Sequence, residues 1–138
     1  MIEVTELRET LKKRNGLLEQ VLEVTSRQPA LIAGEETDLL LENLAQRQEL
    51  IDALVELTNG LPEESRRARD PECAALDRQS HEIYAQISGQ DQQNETRAQA
   101  RLDEIKLNLR RLKEAKTAFN GYEKVVNDPG ATYFDKRK

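Results

Sequence analysis

The 138-residue chain has one cysteine, one histidine, one methionine and no tryptophan. Each scarcity excludes something. A lone Cys73 forms no internal disulfide, which fits a reducing compartment. It falls on an expected apolar helix face and reads as a small packing residue rather than a nucleophile. A lone His81 has no second histidine and no metal-ligand spacing to Cys73, whereas a zinc site takes about four ligands. A surface or half-buried histidine is the economical reading. Six glycines scattered singly build no phosphate loop. Acid pairs such as Glu35-Glu36, Glu63-Glu64 and Asp103-Glu104 are sequence neighbours, which diverge by about 100° on a helix and share no site. They read as solvated surface charge. This inventory leads us to expect no enzyme activity, no metal and no cofactor.

Long apolar runs are missing as well. None exceeds four residues, as in Ala30-Leu31-Ile32-Ala33, against the roughly 20 that a membrane helix takes. Membrane insertion is therefore not expected. Met1-Ile2-Glu3-Val4 has no basic stretch followed by an apolar block, so no signal peptide is expected. The net charge of −5 disfavours wholesale nucleic-acid binding. These points together make a cytoplasmic protein the default.

What the chain does hold is Leu, Glu, Gln, Arg and Lys, all good helix formers, with no alternating β-branched runs. Apolar residues make up 37% and charged residues 34%, which suggests one domain with a thin, elongated core. Val4, Leu7, Leu11, Leu18, Val21, Thr25 and Ile32 recur on a 3-4 spacing, interrupted by Arg14 and Gln28. The pattern predicts a first helix over about 2–33, with a kink or a break at Pro29. Gly34 reads as its terminator. Thr37 or Asp38 is the expected cap of a second helix over about 38–58. Its stripe is Leu40, Leu44, Ile51, Leu54, Thr58 and Leu61, widened by Leu41, Leu50 and Leu57 and broken by Arg47. Asn59-Gly60 ends it, and the two helices are expected to fold back on each other.

Asp70-Pro71-Glu72 has the form of a helix start: cap, proline in the first position, acid in the first turn. A third helix is expected over about 71–118. Cys73, Leu76, Ser80, Ile83 and Ile87 form one stripe; Ala98, Leu102, Ile105, Leu109, Leu112 and Phe119 form another. Between them, Ser88 to Arg97 is almost wholly polar. It reads either as the solvated middle of one helix or as a loop; the single helix is preferred, because only Gly89 argues for a break. Residues 119–138 are expected to form a flexible tail rich in turn formers. Four of the five aromatics (Phe119, Tyr122, Tyr133 and Phe134, but not Tyr84) lie after residue 118. Large side chains with few rotatable bonds suit binding.

Charge is uneven. Residues 1–58 hold 12 acids and 6 bases, whereas residues 97–117 hold 3 acids and 7 bases. The basic stretch is interrupted by Asp103, Glu104 and Glu114 and has no interleaved aromatic, so contact with nucleic acid is not expected. An exposed helix face, or an acidic partner, is more economical. Leu102, Ile105, Leu107, Leu109 and Leu112 are surplus to a short hairpin, and an uncovered apolar patch is a binding surface or an oligomer interface.

The chain also resembles a known family. Leu17-Leu18-Glu19-Gln20-Val21-Leu22, Ala30-Leu31-Ile32-Ala33-Gly34 and Arg47-Gln48-Glu49-Leu50-Ile51 are similar to the first two helices, and the link between them, of FlgN-type flagellar export chaperones. Asn120-Gly121-Tyr122 and, after a spacer, Tyr133-Phe134-Asp135-Lys136-Arg137-Lys138 resemble the ending of such proteins. The resemblance implies a cytoplasmic chaperone of flagellar type III export. It would bind hook-filament junction proteins and deliver them to the export gate. It also implies that the C-terminal region engages the client, which points to Leu102, Ile105, Leu109, Leu112, Phe119, Tyr122, Tyr133 and Phe134. The expected architecture is an all-α antiparallel bundle of three to four long helices over 1–118 with the tail after it. The alternative is a self-associating coiled-coil scaffold or adaptor without a secreted client, and whether the free chain is a homodimer stays open.

Overall fold

The computed structural model describes the backbone of residues 3–127 and the side chains of residues 3–121. Five helices follow in chain order, with no strand among the described residues. They are α1 (Val4–Ser26), α2 (Gln28–Ala33), α3 (Thr37–Thr58), α4 (Glu64–Arg67) and α5 (Pro71–Asn127). The protein is thus all-α, built on three long helices of 23, 22 and 57 residues. The break expected at Pro29 falls two residues earlier, at Arg27. α1 stops at Ser26, and Pro29 stands in the first turn of α2, where its missing N–H costs nothing. Asn59 ends α3, and Gly60 turns the chain at φ +84°, a left-handed conformation that favours glycine. Thr37 and Asp38 do not cap α3: both lie inside its first turn, behind Glu36, which makes no capping hydrogen bond. Asp70 does cap α5, accepting from the Cys73 N–H at 3.0 Å.

The chain divides into two compact units, Met1–Ala98 and Gln99–Lys138. The sequence alone placed its boundary at 118, and the helix expected to stop there continues to Asn127. The remainder of the expected tail lies outside the described residues.

In the first unit, contacts fix the direction of each helix. Asn43, early in α3, donates to the Val24 carbonyl late in α1 (2.9 Å). Leu54, late in α3, packs with Leu18 and Val21 further back along α1. The two helices are therefore antiparallel. Arg8 meets Asp70, Arg14 meets Asp77, and Asn94 reaches the Thr25 carbonyl. These pairs advance together, so α1 and the first part of α5 run parallel, with α3 antiparallel to both. Leu18, Val21, Leu54, Ile83 and Ile87 form one core cluster; Leu7, Leu11 and Cys73 form a second. Each fully buried aliphatic contributes about 1.5–3 kcal/mol.

Polar residues join this core where the sequence showed only breaks in a stripe. Arg14 and Asp77 are both buried, 2.9 Å apart, and Arg67 adds two more bonds to Asp77, at 3.0 and 3.1 Å. Burial opposes the Asp77 charge, but hydrogen bonds from Arg67 and Arg14 outweigh it and hold the carboxyl below its ordinary value. Arg47 grips Asp91 through both guanidinium nitrogens, at 2.6 and 2.8 Å, which raises its own pKa. Residues 88–97 are helical, as preferred, but not simply solvated: Asn94 is only 4% exposed and bonds Thr25 and Gln28. The inward places of α3 are Asn43 and Leu54, with Arg47 and Ile51 half-buried between them. Leu41 and Leu44, expected on the buried stripe, therefore point to solvent.

Candidate partner-binding face

The second unit, among the described residues, is a single helix, the part of α5 from Gln99 to Asn127. Leu, Lys, Arg, Glu and Ala fill most of it and it has no proline, and the helix continues through Asn120-Gly121. Leu102, Ile105, Leu109, Leu112 and Phe119 are all exposed, Leu109 by 60%, Leu112 by 66% and Phe119 by 63%. At about 100° per residue these five fall within about 100° of arc, a single seam. The spacing is that of alternating a and d places in a heptad, with Lys116 at the a place before Phe119. Leu107, also exposed, lies about 140° from Leu102 and is not part of the seam. Tyr133, Phe134 and the side chain of Tyr122 lie outside the described residues.

The charges around this seam are ordered. Arg101 stands 3.3 Å from Glu104, a pair within one turn. Asp103 accepts from Gln99 at 3.0 Å. Among the described residues, Lys106, Lys113 and Lys116 form no ion pair. The seam therefore offers apolar contact area with unpaired cations beside it, and no reacting group is placed on it.

A second concave feature lies within the first unit, and sequence reasoning did not find it. A groove of about 380 Å³ opens between α3 and α5, floored by Leu18, Leu54 and Ile87 and rimmed by the exposed Val55 and Tyr84. The Arg47–Asp91 pair is part of its wall. Tyr84, the sole aromatic before residue 119, was the signal available for it.

Three titratable groups outside these faces, His81, Cys73 and Asp70, are engaged in structure. His81 is exposed and shares a hydrogen bond of 2.7 Å with Glu64. Cys73 is fully buried, and burial, with Asp70 beside it, pushes its thiol up to about 11. Such a thiol stays protonated at neutral pH and is a poor nucleophile. Arg8 holds the Asp70 carboxyl well below the usual carboxylate range, chiefly by their hydrogen bonds. Among the described residues, no group of three or more His, Cys, Asp and Glu could hold a metal ion, and no helix is long and apolar enough to cross a membrane.

The fold and this face define an all-helical protein that carries a helical bundle in one unit and an exposed heptad seam in the other. Comparison with family models, with curated proteins and with solved structures finds no match.

Proposed function

We propose that the protein is a cytoplasmic export chaperone of the flagellar type III system, one that binds hook-filament junction proteins before secretion and hands them to the export gate. The observation that carries this reading is the exposed seam of Leu102, Ile105, Leu109, Leu112 and Phe119. A disordered client terminus with an amphipathic pattern can fold as a helix along such a face. Holding that terminus in a helix keeps it from associating early with other exported subunits. Release needs no nucleotide, since a competing site at the gate can take the client by higher affinity.

Titration calorimetry of the full chain with the terminal segment of a purified junction protein tests this. Binding at about one to one is expected. Leu109→Asp should weaken it about tenfold or more, because a carboxylate at the seam's centre removes apolar contact area and is desolvated when the client docks. Removing residues 119–138 should weaken it further. No measurable binding, or unchanged affinity for Leu109→Asp with helicity intact by circular dichroism, overturns the proposal. Stable higher oligomers that bind no client would favour the scaffold instead.

A further inference from the structure

The seam's flanks say what kind of helix it accepts. With Leu102, Leu109 and Lys116 at a, and Ile105, Leu112 and Phe119 at d, the neighbouring e and g places hold Gln99, Arg101, Lys106, Asn108, Lys113 and Ala115. Every charge in that set is positive. The three acids of the segment, Asp103, Glu104 and Glu114, fall on the outer b, c and f places. Flanking charges lie across the boundary of a helix pair and decide which partner is accepted.

A second copy of this helix is a poor partner by that rule. Aligned in parallel, the pair would set Arg101 against Lys106; aligned antiparallel, it would set e against e and g against g, again basic against basic. Lys116 adds a cation within the apolar row itself. One such residue at an a place costs stability in a self-paired coil and fixes register in a matched one. From charge complementarity we infer that the seam of the second unit docks an acidic amphipathic helix of about 18 residues. Asp or Glu would flank its apolar stripe, with one carboxylate opposite Lys116. This rests on the chaperone reading for the existence of a helical client and adds the chemistry by which a client is chosen.

Two synthetic helices about three heptads long test it against the full chain. Both carry leucine at all a and d places; one has glutamate at e and g, the other lysine. The chain's net charge of −5 favours the lysine peptide at long range, so only local recognition at the seam gives the opposite preference. The glutamate peptide is expected to bind about tenfold more tightly at low salt, with the gap narrowing as salt rises. Lys106→Glu combined with Lys113→Glu and Lys116→Glu should invert the preference. These side chains are exposed, so helicity should not change. Equal affinities, or a preference for lysine in the unaltered chain, overturn the charge inference and leave apolar docking standing. If neither peptide binds and the junction-protein segment fails too, both readings fall. A stable dimer by sedimentation equilibrium that Leu109→Asp dissolves would overturn the inference by showing that a second copy is accepted.

Discussion

Leu11 and Leu18 in the first unit, and Leu109 and Leu112 in the second, occupy the same kind of 3-4 spacing on the same kind of helix, yet the first two are at most 1% exposed and the second two at least 60%. Nothing in the helices themselves accounts for this. In the first unit α1, α3 and the first part of α5 supply one another's cover; in the second, among the described residues, one helix stands alone. Polarity follows the same division. The first unit draws Arg14, Asn43, Asp77 and Asn94 inward and binds them, whereas Lys106, Lys113 and Lys116 beside the second unit's seam form no ion pair among the described residues. A leucine stripe thus specifies a face and leaves open who meets it; the bonded polar groups mark a meeting already made.

The sharpest way to break this contrast is to remove a bonded polar group. Asp77→Ala leaves Arg14 buried beside an empty place and should cost about 3–5 kcal/mol, whereas Asp103→Ala should change stability by less than about 0.5 kcal/mol. Urea unfolding followed by circular dichroism measures both. Next comes apolar truncation: Leu18→Ala should cost about 2–5 kcal/mol, while Leu109→Ala should lie within about 0.5 kcal/mol. Comparable losses at the two positions would mean that the seam is covered in solution. The smallest effect is a pH effect. Asp70 and Asp77 are both held below the ordinary carboxylate value of about 3.9. Their contribution is therefore present in full above that value and is lost as pH falls below it. The melting temperature should hold from pH 7 to about 5 and drop toward pH 3, and Asp77→Asn should flatten the part of that drop that Asp77 carries.

Helix placement was the most legible part of the chain. The period of Leu7, Leu11, Leu18 and Val21 and the Asp70-Pro71-Glu72 start are local signals, and local physics reads them. The inward polar network was not legible, because its partners are far apart in sequence: Arg14 and Asp77 are separated by 63 residues. Seen alone, Arg14 was a flaw in a stripe and Asp77 carried no signal. Leu44 misled for a related reason. It keeps the spacing of Leu40 and Leu54, but Asn43, bonded to the Val24 carbonyl, takes the inward place beside it and Leu44 faces water. Of the eight side chains singled out for binding, five are seen to be exposed on one face. Exposure is legible from a surplus of leucine; the charges that flank the seam are not registered by the hydrophobic pattern.

Asp70 serves two masters. One oxygen closes the first turn of α5, and both are held by Arg8 of α1. The first turn of the longest helix is thereby tied to the shorter one. In a chain still being synthesised Arg8 emerges long before Asp70, so this tie is made only once the start of the late helix has appeared.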